Sequence, residues 1–155
     1  MSGAVASLSG PRPVDGPSDL SAPRFPVSIK GVVTVAGRVV LLRNERNEWE
    51  LPGGKLEPGE DPAECVRREV REELALDVGV EEILDCWLYD IQGRVEVVVV
   101  TYGCTLRGGE VTLSHEHKEV GLFHPADVES LPMPEGYRRS IRRWALSAAA
   151  REVKP

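Results

Sequence analysis

An α+β domain is predicted by three features of the sequence: β-branched runs separated by glycine-containing turns, a strongly capped amphipathic helix near the middle, and a second amphipathic segment at the end. Val27 to Ala36 reads as a strand, Gly37 and Arg38 as a turn, and Val39 to Leu42 as the other arm of a hairpin. Trp49 to Leu51 is a short strand running up to a turn at Pro52. Further strands are expected at Val78 to Ile83, Cys86 to Ile91 and Val95 to Cys104, with turns at Gln92-Gly93 and Gly108-Gly109. Val97 to Val100 is apolar on both faces and should be a buried central strand. Ser114 to Phe123 reads as a polar loop entering a strand. From Pro134 to Val153, Tyr137, Ile141, Trp144, Ala145 and Ala148 share one helical face, which predicts a closing helix.

The middle helix is the best determined element. Asp61, Pro62 and Glu64 stand at the N-cap, first-turn and third positions of a capping-box start. Ala63, Val66, Val70 and Leu74 then recur at three- and four-residue spacing, giving one apolar stripe able to dock on a sheet. Glu69, Glu72 and Glu73 are related by i+3 and i+4, so their carboxylates project from a neighbouring face. Clustered carboxylates repel unless a cation lies among them, and a hard divalent ion takes such oxygen ligands. The plainer reading is a solvated face on which Arg67, Arg68 and Arg71 form ion pairs. The preceding loop favours the first reading. Glycines at 53, 54 and 59 allow backbone amides to approach a ligand, and Lys55 adds a cation where a phosphate oxygen could sit.

Gly54, Glu60, Arg68, Glu69, Val70, Glu72, Glu73 and Leu76 match position by position the Nudix box, G-x5-E-x7-R-E-U-x-E-E-x-G-U with U apolar, so the chain resembles the Nudix hydrolases. Ala75 stands where the box has glycine, at a helix end where a left-handed residue is usual. This predicts a cost of about 1 kcal/mol or a slightly extended helix.

The resemblance implies an α/β/α sandwich with a mixed sheet between helices, and metal-assisted hydrolysis of a phosphoanhydride in a nucleoside diphosphate linked to another group. It implies that Glu72 and Glu73 hold Mg²⁺ or Mn²⁺, with Glu69 and the Gly54 carbonyl completing the shell, Arg68 orienting the carboxylates, and Gly53, Gly54 and Lys55 meeting the substrate. In many members a glutamate from the loop before the last strand is a further metal ligand or the base, which makes Glu116 the first candidate and Glu119 the second; Glu69 is a third candidate base. The LPGGKLEPGE form favours nucleoside triphosphates, oxidised ones included. ADP-ribose or a nucleotide sugar is the alternative substrate, and a non-catalytic nucleotide-sensing or partner-binding domain the alternative role.

Other features bound these expectations. Trp49 could stack on a base, with the core as its alternative, and Trp87, Tyr89 and Tyr102 could line a nucleotide pocket, each with a core or rim alternative. His115 and His117 lack a third soft ligand nearby, which argues against a transition-metal site. A net charge of −6 argues against stable nucleic-acid binding, and Arg138, Arg139, Arg142 and Arg143 read as a solvated helix face. Cys65, Cys86 and Cys104 read as ordinary thiols of a reducing compartment. With no apolar run long enough to span a membrane and no secretory pattern, the expected location is the cytoplasm. Residues 1–24, rich in Pro, Gly and Ser, are expected to form a flexible tail that could cover the site or mediate contacts in a homodimer; residues 25–155 are expected to form one domain.

Overall fold

The computed structural model describes residues 22–115, 117 and 119–153, so nearly all of the expected tail, and Glu116, lie outside the described residues. The elements are β1 (Val27–Val35), β2 (Arg38–Arg43), β3 (Trp49–Glu50), β4 (Gly53–Lys55), α1 (Pro62–Leu74), β5 (Asp77–Ile91), β6 (Val95–Gly108), β7 (Glu119–Phe123), a 3-10 turn (Pro125–Ser130) and α2 (Glu135–Glu152).

The sheet runs β3-β2-β1-β6-β5, with β4 added to β1 and β7 to β2. It is mixed, because β1 runs parallel to β6, from Val27 opposite Val98 to Val33 opposite Cys104, while the other pairs are antiparallel. Alternation along β1 and β2 sends Val32, Val39 and Leu41 to one face, where they pack with Tyr137, Ile141 and Trp144 of α2. Ile29, Val33, Val40 and Leu42 go to the other, against Cys65, Val66, Val70 and Leu74 of α1. The result is the sandwich of a mixed sheet between helices. No helix among the described residues is long and apolar enough to cross a membrane.

Several elements differ from the sequence expectation. The two strands expected between Val78 and Ile91 are one long strand, whose register shifts between Val80 and Ile83 and again before Asp85; these irregularities let it bend without ending. β6 is central, but of Val97 to Val100 only Val99 is fully buried. Three residues of the glycine loop pair with β1 as β4 instead of remaining irregular. The 3-10 turn lacks the periodicity of a longer helix and was not expected.

The α1 start is half of a capping box. The Asp61 carboxylate accepts from the amides of Ala63 at 2.9 Å and Glu64 at 3.4 Å, but the Glu64 side chain pairs with Arg67. At the other end Ala75 adopts the left-handed conformation, φ 57°, and its N–H donates to the Arg71 carbonyl. The helix therefore stops on schedule, with an alanine in a glycine conformation. On α2, Arg138 and Arg142 pair with Glu135, Arg142 also with Glu129, and Arg139 and Arg143 with Asp85, so the basic face is spent on the fold.

Candidate active site

β4 brings the glycines against the acidic helix. Gly53 has φ 139°, and a Cβ there would lie 2.1 Å from the Ile29 carbonyl, so only glycine fits. Its N–H donates to Glu73 Oε2 at 3.4 Å, and its carbonyl accepts from Lys30 Nζ at 3.0 Å. Gly54 lies flat against Glu69, with a Cβ position only 2.5 Å from that carboxylate. Beneath the turn, Cys65 Sγ donates to the carbonyls of Gly54 at 3.8 Å and Lys55 at 3.5 Å. Burial, with the Glu60 charge, pushes this thiol up to about 12, so it is a neutral donor and no nucleophile.

The three box glutamates share one side of α1 but not one environment. Glu73 is 3% exposed, whereas the side chains of Glu69 and Glu72 are 15% and 60% exposed. Arg68 joins the set: its Nε lies 2.7 Å from Glu60 Oε1, and its Nη1 lies 2.9 Å from Glu69 and 3.3 Å from Glu72. Hydrogen bonding to Arg68 holds the Glu60 carboxyl down to about 2. Arg68 thus supplies part of the positive charge that the crowded carboxylates need, pairing with Glu60, Glu69 and Glu72, and Lys30 acts on Glu73. Among the described residues no group of three or more His, Cys, Asp or Glu side chains is gathered to hold a metal ion.

The donor chemistry nevertheless suits one. Every candidate ligand is an oxygen, as a hard divalent cation requires. The Gly54 and Glu69 contact forms a cradle that any side chain at 54 would fill. Burial pushes the Glu73 carboxyl up to about 7 despite Lys30, His117 and the Gly53 N–H, which marks a buried acid still short of positive charge.

Beside β4 opens a cavity of about 600 Å³. Lys30, Arg46, Lys55 and Arg94 supply cations, Glu50 an anion, and Tyr89, Tyr137, Val97 and Val99 apolar and aromatic wall. Glu50 accepts from His117 Nε2 at 3.1 Å and from Asn44 Nδ2 at 3.3 Å. Against the effect of its burial, the Lys30 charge foremost, then His117 and Asn44, hold its carboxyl down to about 2. At the rim the Tyr89 hydroxyl donates to Glu48 at 3.3 Å, and Arg46 lies 3.5 Å from the same oxygen, tying the β2–β3 connection to β5.

Contacts therefore join Gly53 to Glu73, Gly54 to Glu69, and Arg68 to Glu69 and Glu72, while Lys55 follows Gly54 on β4 and Glu72 stands largely in the open. Glu119 is exposed and pairs with Arg43 across β2 and β7 at 3.3 Å. Of the aromatics, Tyr89 lines the cavity; Trp49 packs edge-on to Phe123, Trp87 edge-on to Tyr137, and Tyr102 lies against the α1-side core. Lys30 and Glu50 were missed. A lysine inside the apolar run VSIKGVV, on a strand flanked by others, was the available signal, because an ammonium there must be buried and needs a purpose.

The NUDIX domain family model matches residues 24–144. A MutT-like protein of Streptomyces ambofaciens is 36% identical over 110 residues, covering 70% of this chain and 70% of that protein. A nucleoside triphosphatase NudI of Escherichia coli is 31% identical over 106 residues, covering 61% of this chain and 74% of its own. Among solved structures, a C. elegans Ap4A hydrolase binary complex superimposes with a TM-score of 0.71 at 22% identity, over 81% of this chain and 99% of that one. Box, fold and family model agree, and the chain belongs to the Nudix family.

Proposed function

We propose that this chain is a pyrophosphohydrolase of nucleotide derivatives, dependent on Mg²⁺ or Mn²⁺ and acting on nucleoside triphosphates or their oxidised forms. The observation that carries this reading is that Lys55 belongs both to the glycine strand packed on the acidic helix and to the cavity wall. A substrate body in the cavity would thus place its phosphates beside the carboxylates.

Glu72, Glu73, Glu69 and the Gly54 carbonyl are the groups that would hold the ion. When bound, it supplies neutralisation of the charge that develops on the phosphate oxygens. Lys55 binds phosphate, Arg68 keeps the carboxylates in line, and the cavity excludes bulk water from the substrate body. Water is the nucleophile. Its proton passes to Glu69, whose carboxylate lies against Gly54, or to Glu116; E69Q and E116Q compared at saturating substrate separate the two. The similarity to a triphosphatase and the LPGGKLEPGE form both support the triphosphate substrate.

Incubation with a panel of nucleoside triphosphates, 8-oxo analogues, ADP-ribose and nucleotide sugars, with and without each ion, tests the proposal. Release of a nucleoside monophosphate and pyrophosphate only with the ion is the expected result. Preferred cleavage of ADP-ribose would move the substrate to the alternative class, and folded protein that cleaves no member would overturn the reading.

A further inference from the structure

Lys30 is absent from the box and lies 23 residues before Gly53, yet it is the buried cation at the centre of the site. It is 7% exposed on a strand whose neighbours Ile29, Val32 and Val33 are fully buried. The ammonium answers the buried Glu50 charge, yet its hydrogen bond goes to the Gly53 carbonyl. An apolar side chain of the same length would fill the space without the cost of taking a charge out of water. Its placement follows from register. Lys30 stands directly opposite Gly53 in the β1–β4 pair, on the same face of β1 as Val32, which is the face that opens to the cavity.

The two polar atoms of Gly53 are each met by a side chain: Lys30 Nζ on the carbonyl and Glu73 on the N–H. At φ 139° the local backbone has little intrinsic preference for this orientation, since glycine visits many others as easily. Its N–H and carbonyl belong to successive peptide planes joined at Cα, so with the carbonyl released a rotation about that Cα would withdraw the N–H from Glu73 and turn the plane that leads to Gly54.

Resting on the hydrolase reading above, we propose that Lys30 is a positioning residue: by gripping the Gly53 carbonyl it fixes the glycine strand, and through the Gly53 N–H it sets the place of Glu73. Lys30 acts through Gly53 on Glu73 and carries out no proton transfer or bond making itself.

The test uses the full chain with K30M, which keeps the unbranched stem to within one atom and removes the charge. Hydrogen exchange by NMR in metal-free protein should show the Gly53 amide exchanging at least about tenfold faster, while Val32 and Leu41 keep wild-type protection. With a cleaved nucleotide at saturating ion, kcat should fall at least about tenfold with KM within about threefold. K30A should regain several-fold activity with added propylamine and none with 1-propanol, because only the amine restores a donor to the Gly53 carbonyl. Unchanged Gly53 exchange in K30M overturns the proposal, as does a raised KM at constant kcat, which would make Lys30 a substrate-binding group. If Val32 and Leu41 also lose protection, the rescue decides: equal recovery with propanol, or none with either, reduces Lys30 to a packing role. If wild type cleaves no nucleotide, the hydrolase reading fails, and the exchange measurement still decides whether Lys30 holds the turn.

Discussion

Gly54 and Glu69 are in face-to-face contact, close enough that a methyl group on Gly54 would stand 2.5 Å from the Glu69 carboxyl carbon. The atoms it would meet are the far end of a flexible side chain, so Glu69 can swing aside at little cost to the fold. G54A should therefore keep stability within about 1 kcal/mol of wild type while losing at least about tenfold in kcat. Thermal unfolding together with steady-state kinetics checks this. A large fall in Tm with activity per folded molecule preserved would show that the contact serves packing only.

E73Q removes a charge from the buried end of the carboxylate row, where Glu73 is proposed to hold the ion. Turnover should drop at least about a hundredfold with the fold intact, and Mn²⁺ binding followed by calorimetry should weaken in parallel. Near-normal turnover in E73Q would refute the role given to Glu73.

Glu50 ties acid stability to the cavity. Its folded carboxyl sits at about 2 against an ordinary 4.5, so the unfolded chain binds its proton first as pH falls. The stabilisation is complete above pH 4.5 and is lost as pH drops toward 2. A depression of that size corresponds to about 3 kcal/mol for this largely buried group. Urea unfolding of wild type and E50Q between pH 2 and 6 should show a shallower pH dependence in the variant. Parallel curves for the two proteins would mean that Lys30, His117 and Asn44 do not hold the charge as described.

Ala75 pays for the missing box glycine in backbone strain at φ 57°. A75G should stabilise the protein by about 1 kcal/mol, raising Tm by roughly 2–4 °C, with kinetics unchanged. A decrease in Tm would show that flexibility of the unfolded glycine chain outweighs relief of the strain.

The sequence made legible what local rules govern. Asp61 and Pro62 mark the start of α1, and the spacing of Val66, Val70 and Leu74 marks its buried side, because capping and periodicity depend on neighbours a turn away. The box residues were legible because their spacing on that helix decides which side chains meet. Lys30 and Glu50 were not, since what brings them to the glycine turn is the pairing of β1 with β4 and of β2 with β3, contacts between distant residues that no local pattern encodes. The sharing of Arg68 among Glu60, Glu69 and Glu72 was hidden for a related reason: a long side chain chooses among partners only in three dimensions.

Because β1 delivers Ile29 and Val33 to one core while Lys30 and Val32 face the other way, its two sides cannot drift independently. A one-residue deletion at Gly31 would slip the strand before it by one position, sending the ammonium toward Val66 and Cys104 and Ile29 to the place opposite Gly53, so core and chemistry would be lost together. The β5–β6 hairpin, where Tyr89, Val95 and Val97 border the cavity, carries no such double constraint at its exposed Gln92-Gly93 tip, so a change there would reshape the cavity mouth and leave both cores in place.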